Sequence, residues 1–191
     1  MDTYHQKYAD QTAEEIQKRI DVKKDELLAI FKQIPFASSS SFLKLAVIGC
    51  GDKRFIKGHK DIFERVLKRP VEVTTFDITI EHLGGEEGVV EHDCTQPLPG
   101  GPYTITYAHV ILKFIDTEKQ WDLIKNSYDA LESGGLAIHI LDNEEYETEG
   151  VKLDNGYYTV PLKRWIQKLE ENEIKHQEIP VTYGLALVLL K

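Results

Sequence analysis

Gly49-Cys50-Gly51 follows directly on the apolar run Leu45-Ala46-Val47-Ile48. Glycine just after a buried strand permits a tight turn and lets the backbone approach a ligand closely. Asp77 ends the next β-branched stretch. A carboxylate at that place can accept both hydroxyl hydrogens of a ribose. Either feature also arises structurally, as a plain turn or a helix cap, and the pair does not by itself choose a cofactor. His109 carries an imidazole that titrates near neutral pH, the property a general base needs; a wall of the pocket is its alternative role. His139 lies inside an apolar run and reads as a hydrogen-bonded core histidine. Cys50 and Cys94 show no CxxC spacing and no histidine at ligand spacing, so neither a disulfide framework nor a metal site is expected.

These residues need strands and helices to bring them together. Ile16, Ile20, Leu27, Leu28 and Phe31 recur at helical spacing, which predicts a helix over 12–34 with Thr12 and Glu15 as a capping box and Pro35 as its stop. A serine-rich break at 38–41 follows. Leu43 to Ile48 predicts a strand buried on both faces. A helix is predicted over 61–67, then strands over 71–76, 88–93 and 103–108. Further along come a helix over 117–131 stopped by Ser133-Gly134-Gly135, a strand over 136–141 and a helix over 161–172. Two closing strands, 175–181 and 185–190, are joined by so short a link that they must be antiparallel. Strands alternating with helices predict an α/β three-layer sandwich. Its sheet would have seven strands, mostly parallel, with the antiparallel pair at the end. Such sheets bind ligands at the carboxyl ends of their strands.

The segment Val90-Glu91-His92-Asp93-Cys94, a Pro/Gly-rich loop, a strand and His109-Val110-Ile111-Leu112-Lys113-Phe114-Ile115-Asp116 follow one another in that order. With Tyr128 to Leu136 and the closing strand pair, this order resembles the class I S-adenosylmethionine-dependent methyltransferases over about 43–191. The resemblance implies S-adenosylmethionine as cofactor. Gly49, Cys50 and Gly51 would wrap its methionine part, and Asp77 and Ile78 would border the ribose. Asp93 would meet the adenine amino group with Cys94 beside the ring. Ala108 and His109 would lie next to the reactive methyl. The sequence departs from the family pattern in three places. Val47 replaces an acidic residue, Asp52-Lys53-Arg54 stands where a third glycine is usual, and Thr104 replaces an aspartate.

The formal net charge of -9 disfavours a nucleic-acid partner. The one basic cluster, Asp52 to Lys60, could face a phosphate or be the solvated first turn of a helix. No apolar run reaches the ~20 residues of a membrane span, and the polar start of the chain does not read as a secretory signal. The expected location is the cytoplasm. Residues 1–41 are expected to form a helical extension or lid ahead of the domain at 42–191, with Tyr4, His5 and Tyr8 closing over the pocket or fraying. Asp142-Asn143 could meet substrate or form a turn. The acidic run Glu144 to Glu149 is a solvated loop or a receiver of cations. The expected function is a methyltransferase acting on a small molecule, a protein substrate being open. The alternatives are a non-catalytic module that binds the cofactor and a nicotinamide-binding oxidoreductase. Oligomeric state is not legible.

Overall fold

A computed structural model describes residues 8–34, 36, 40–142, 152–154 and 156–191. Tyr4, His5, Pro35, Ser38, Ser39, Asn143 and the run Glu144 to Glu149 lie outside the described residues. Helix α1 spans Ala13–Gln33 and opens on the expected capping box: the Thr12 hydroxyl accepts from Glu15 N–H, and the Glu15 carboxylate accepts from Thr12 N–H. Strand β1 (Leu43–Ile48) leads through the glycine turn to α2 (Arg54–Leu67) and β2 (Val71–Asp77). Next are β3 (Val89–Glu91), β4 (Tyr103–His109), α3 (Thr117–Asp129), β5 (Leu131–Asp142) and α4 (Leu162–Glu171). The hairpin β6 (Lys175–Val181) and β7 (Gly184–Leu190) closes the chain.

The strands form one sheet in the order β3-β2-β1-β4-β5-β7-β6. The first five are parallel, and β7 runs antiparallel to both β5 and β6. Side chains alternate between the faces with the period of two that strands impose. Leu45 and Val47 of β1, Ile105 and Tyr107 of β4, and Ile138 and Ile140 of β5 bury one face under Leu27 and Ile30 of α1 and Phe63 of α2. Ala46, Ile48, Ala108 and Ala137 bury the other face under Leu123 and Ile124 of α3 and Trp165 and Leu169 of α4. This is the expected three-layer α/β sandwich.

Two boundaries differ from the sequence expectation. Helix α2 begins at Arg54, not near Asp61, because the Asp52 carboxylate accepts from the Arg54 N–H and nothing in the basic stretch breaks a helix. The basic cluster is therefore helical, but it is not simply solvated: His59 is buried. Strand β5 begins at Leu131, not Leu136. Tyr103 pairs with Leu131 and Ile105 with Leu136, so Ser133-Gly134-Gly135 forms a bulge inside the strand instead of a turn before it.

One buried side chain secures the stretch after β4. The Gln120 amide nitrogen donates to the carbonyls of Leu112, Ile115 and Thr159, and its oxygen accepts from the Trp165 indole N–H at 3.1 Å. Four partners for one amide fix the loop beside His109 against α3 and α4.

Candidate functional site

The site gathers at the carboxyl ends of β1, β2 and β4, where strand order reverses. In register, Ile48 lies between Phe76 of β2 and Ala108 of β4. Gly49, Asp77 and His109 are therefore the next residues along three adjacent strands. Gly49 has φ +78°, and a Cβ there would lie 2.5 Å from Ile111 Cδ1. The left-handed backbone is what calls for glycine here, and the Ile111 side chain packs into the space a Cβ would take. The Cys50 N–H donates to Asp77 Oδ2 at 2.7 Å, and Asp77 Oδ1 accepts from Thr79 N–H at 3.3 Å. Asp77 is buried, so its carboxylate binds the glycine turn to the end of β2 from inside the pocket wall. The Cys50 carbonyl is held in turn by His82 Nε2 at 2.7 Å. Burial pushes the Cys50 thiol up to about 12, which makes it a packing group and not a nucleophile. Gly51 continues the turn half-buried.

Asp93 lies just after β3. Its Oδ1 accepts from the Thr95 hydroxyl at 2.7 Å and from the Thr95 N–H at 3.0 Å, and these bonds hold its pKa below the ordinary carboxylate value. Cys94 is buried beside it, its thiol also pushed up to about 12 by burial. Ile78 is half exposed at the mouth of the site. Ala108 is buried on the α3 side of the sheet and offers no side-chain chemistry there.

His109 closes β4 with its ring turned the other way, toward α1. Its Nε2 lies 3.0 Å from Glu26 Oε2; the His109 side chain is 19% exposed and that of Glu26 0%. Burial drives the His109 pKa well below its ordinary value, and nearby Lys23 drives it further. Burial raises the Glu26 pKa. One hydrogen bond joins Nε2 to Oε2 and leaves the other carboxylate oxygen, Oε1, to its own surroundings. The next residue, Val110, has φ +58°, a left-handed backbone in a β-branched residue. Its N–H donates to the Ile140 carbonyl at 2.9 Å, which holds that geometry. The reversal points His109 toward α1 and Ile111 toward Gly49; such conformations cost on the order of 1–3 kcal/mol and concentrate at functional sites.

The segment before α1 packs over the glycine turn. Arg54 donates to the Tyr8 carbonyl at 2.7 Å and to the Gln11 carbonyl at 2.8 Å while pairing with Asp52 at 2.8 Å. The Tyr8 ring meets Phe55 edge-on, within a buried cluster that includes Cys50 and Leu83. Burial alone would raise the Asp52 pKa, but the Arg54 bonds outweigh it and hold the group low. Val47 is buried under α1 and α2, with no polar partner to offer. The Thr104 hydroxyl accepts from Lys44 N–H at 3.2 Å and so serves the sheet.

Sequence reading missed Lys23, Glu26, His59, His82 and the Arg54 clamp. One signal was present. Ile16, Ile20, Lys23, Leu27 and Ile30 are spaced alternately by four and three, which puts Lys23 on the buried stripe of α1. His139 behaves as expected: it is buried, with Nε2 2.8 Å from the Ser127 hydroxyl. Among the described residues no cluster of histidine, cysteine and carboxylate side chains is arranged to hold a metal ion, and no described helix is long and apolar enough to cross a membrane.

No family model matches the chain, and neither does any curated protein. Solved structures do match. One described as a S-adenosylmethionine-dependent methyltransferase from Clostridium acetobutylicum ATCC 824 superimposes with TM-score 0.63 at 11% identity, over 92% of this chain and 94% of that one. The sugar N-methyltransferase KedS8 from Streptoalloteichus sp ATCC 53650 gives TM-score 0.61 at 10% identity, over 94% and 93%. A DhpI-SAH complex gives TM-score 0.60 at 11% identity, over 100% and 95%. At these identities the likeness is one of fold. The chain has the fold of the class I S-adenosylmethionine-dependent methyltransferases.

Proposed function

We propose that this chain is an S-adenosylmethionine-dependent methyltransferase acting on a small molecule. The observation that carries the reading is the union of Gly49 and Asp77 at the switch point, with the Cys50 N–H donating to Asp77 at 2.7 Å. A left-handed glycine turn beside a buried carboxylate suits the sugar of an adenosyl group. KedS8, of the same fold, is described as a sugar N-methyltransferase, and a neighbour from Brevibacillus brevis as an O-methyltransferase holding S-adenosyl-L-homocysteine. These descriptions support small-molecule methyl transfer. The antiparallel β7 between β5 and β6 favours this reading over a nicotinamide-binding one.

The residues divide the work. Gly49, Cys50 and Gly51 shape the turn, Asp77 with Ile78 borders the ribose, and Asp93 with Cys94 borders the adenine. Bound S-adenosylmethionine supplies an electrophilic methyl group on sulfur. The protein orients the acceptor in line and excludes water. His109 is neutral at physiological pH, the state in which an imidazole accepts a proton. For a hydroxyl acceptor, His109 would receive the proton that the oxygen releases on methylation; an amine acceptor would have to arrive already deprotonated, since an ammonium has no lone pair with which to attack. Residues 8–11, clamped by Arg54, act as the lid of the N-terminal extension ahead of the domain at 42–191. The cytoplasm is the compartment this reading assigns.

Calorimetric titration with S-adenosylmethionine and S-adenosylhomocysteine tests it, with NADH as competitor and Asp77→Ala as control. Micromolar binding of both adenosyl compounds, lost in the variant and indifferent to NADH, is the expected result. Folded protein that binds neither compound, or binds NADH in their place, overturns the reading.

A further inference from the structure

Four buried polar atoms that find no partner gather between α1, α2 and β4: Glu26 Oε1, both ring nitrogens of His59, and the Tyr107 hydroxyl. Buried polar groups are almost always satisfied, and leaving one bare is costly. Such a concentration in one place calls for an account. Lys23 enters the same space. Its ammonium lies 5.6 Å from the Phe55 ring centre and 6.0 Å from that of Tyr107, and it makes no hydrogen bond among the described residues. Only 9% of Lys23 is exposed. The His59 ring lies 6.2 Å from Phe55 and 5.8 Å from Tyr107, which ties the groups into one cluster.

The cluster borders the candidate cofactor site. Phe55 opens α2 just beyond the glycine turn and packs with Cys50. His109, bound to the other oxygen of Glu26, stands at the end of β4. The donors and acceptors have a definite character. Lys23, the Tyr107 hydroxyl and a His59 N–H are donors suited to a carboxylate. Glu26 Oε1 is an acceptor suited to an ammonium, whether Oε2 or His109 Nε2 holds their shared proton. A paired carboxylate and ammonium define an α-amino acid. A second observation agrees: Val47 supplies no charge from β1, so the charges facing this end of the site come from α1.

We propose that Lys23, His59 and Tyr107, together with Glu26, form the subsite that holds a zwitterionic α-amino-acid group, the methionine end of the cofactor. The inference rests on the methyltransferase reading and deepens it. The charges absent from the glycine-turn strand are supplied by α1, so docking of α1 on α2 completes the cofactor site.

The test separates the two ends of the ligand. S-adenosylhomocysteine and 5′-methylthioadenosine share an adenosine and a thioether, but only the first carries the amino-acid group. Calorimetry on the full chain is expected to give wild type at least about tenfold tighter binding of S-adenosylhomocysteine, the loss of a buried charge pair being worth that much or more. Lys23→Met removes that advantage and leaves 5′-methylthioadenosine within about twofold, because that ligand has no group for Lys23 to meet. Tyr107→Phe, which removes one oxygen and keeps the ring, weakens S-adenosylhomocysteine selectively and to a smaller degree. Thermal melts of both variants confirm folding. Equal loss of both ligands in Lys23→Met, or no preference in wild type, overturns the subsite while leaving the methyltransferase reading intact. Wild type that binds neither ligand overturns both.

Discussion

The Asp77 carboxylate accepts the Cys50 backbone N–H at 2.7 Å, so the acidic end of β2 and the glycine turn after β1 form one unit. On the proposed reading this one bond serves both recognition and stability. Asp77→Ala leaves a buried donor bare, and urea unfolding is expected to lose about 1–3 kcal/mol. Asp77→Asn keeps an oxygen for Cys50 and gives up only the longer Thr79 bond, so it should lose less stability than Asp77→Ala while also losing the charged acceptor for ligand hydroxyls. Its affinity for adenosyl ligands should fall by at least about tenfold. Equal stability of all three proteins would show that the bond is idle.

Gly49 meets two constraints that can be separated. Gly49→Ala places a methyl 2.5 Å from Ile111 Cδ1 and forces a left-handed backbone on an L side chain. Overlap and strain together are expected to cost about 2–5 kcal/mol. Combining it with Ile111→Ala removes the overlap and leaves the strain. The double variant should therefore be more stable than the sum of the single effects predicts, by about 1–3 kcal/mol in chemical unfolding. Strict additivity would mean that φ alone fixes the glycine.

The sheet was legible because the apolar run at 43–48 is too short for a helix and ends in glycine, while 117–129 carries the helical period of 3.6. The α2 start was not, because Asp52-Lys53-Arg54 stands where a glycine was expected, and only the Asp52–Arg54 bonds reveal a helix entry there. At the site, the glycine turn and Asp77 could be read because their chemistry is local to strand ends. Glu26 could not. It is separated from His109 by 83 residues, and only the docking of α1 over β4 turns a helix-surface charge into a buried partner. Lys23 was visible on the apolar stripe of α1, but a single sequence does not reveal which groups it faces.

Arg54 joins Asp52 to the Tyr8 and Gln11 carbonyls, so it closes the segment before α1 over the glycine turn. Arg54→Ala should release that segment without loosening the sheet. Hydrogen exchange is the measurement. Faster exchange at residues 8–11, with β1 and β4 amides unchanged, is expected. Exchange that rises equally everywhere would make Arg54 a global stabiliser and not a clasp.

His139 gives the fold a defined response to acid. The Ser127 hydroxyl donates to the Ile124 carbonyl at 2.7 Å, so the His139 Nε2–H must be the donor to that oxygen at 2.8 Å, and the ring is neutral. Complete burial brings its pKa from 6.5 down to about 4. The unfolded chain therefore takes a proton that the folded chain refuses between those values. Stability from this residue is fully present above pH 6.5, falls as the pH drops through that window and is gone below about 4. The shift corresponds to about 3 kcal/mol. His59 and His109 are displaced in the same direction by burial and add to the slope. His139→Gln keeps a donor for Ser127 and removes the titration, so urea unfolding from pH 7 to 4 should lose less stability than wild type does. Parallel pH profiles for the two proteins would mean that His139 titrates in the folded chain as it does in the unfolded one.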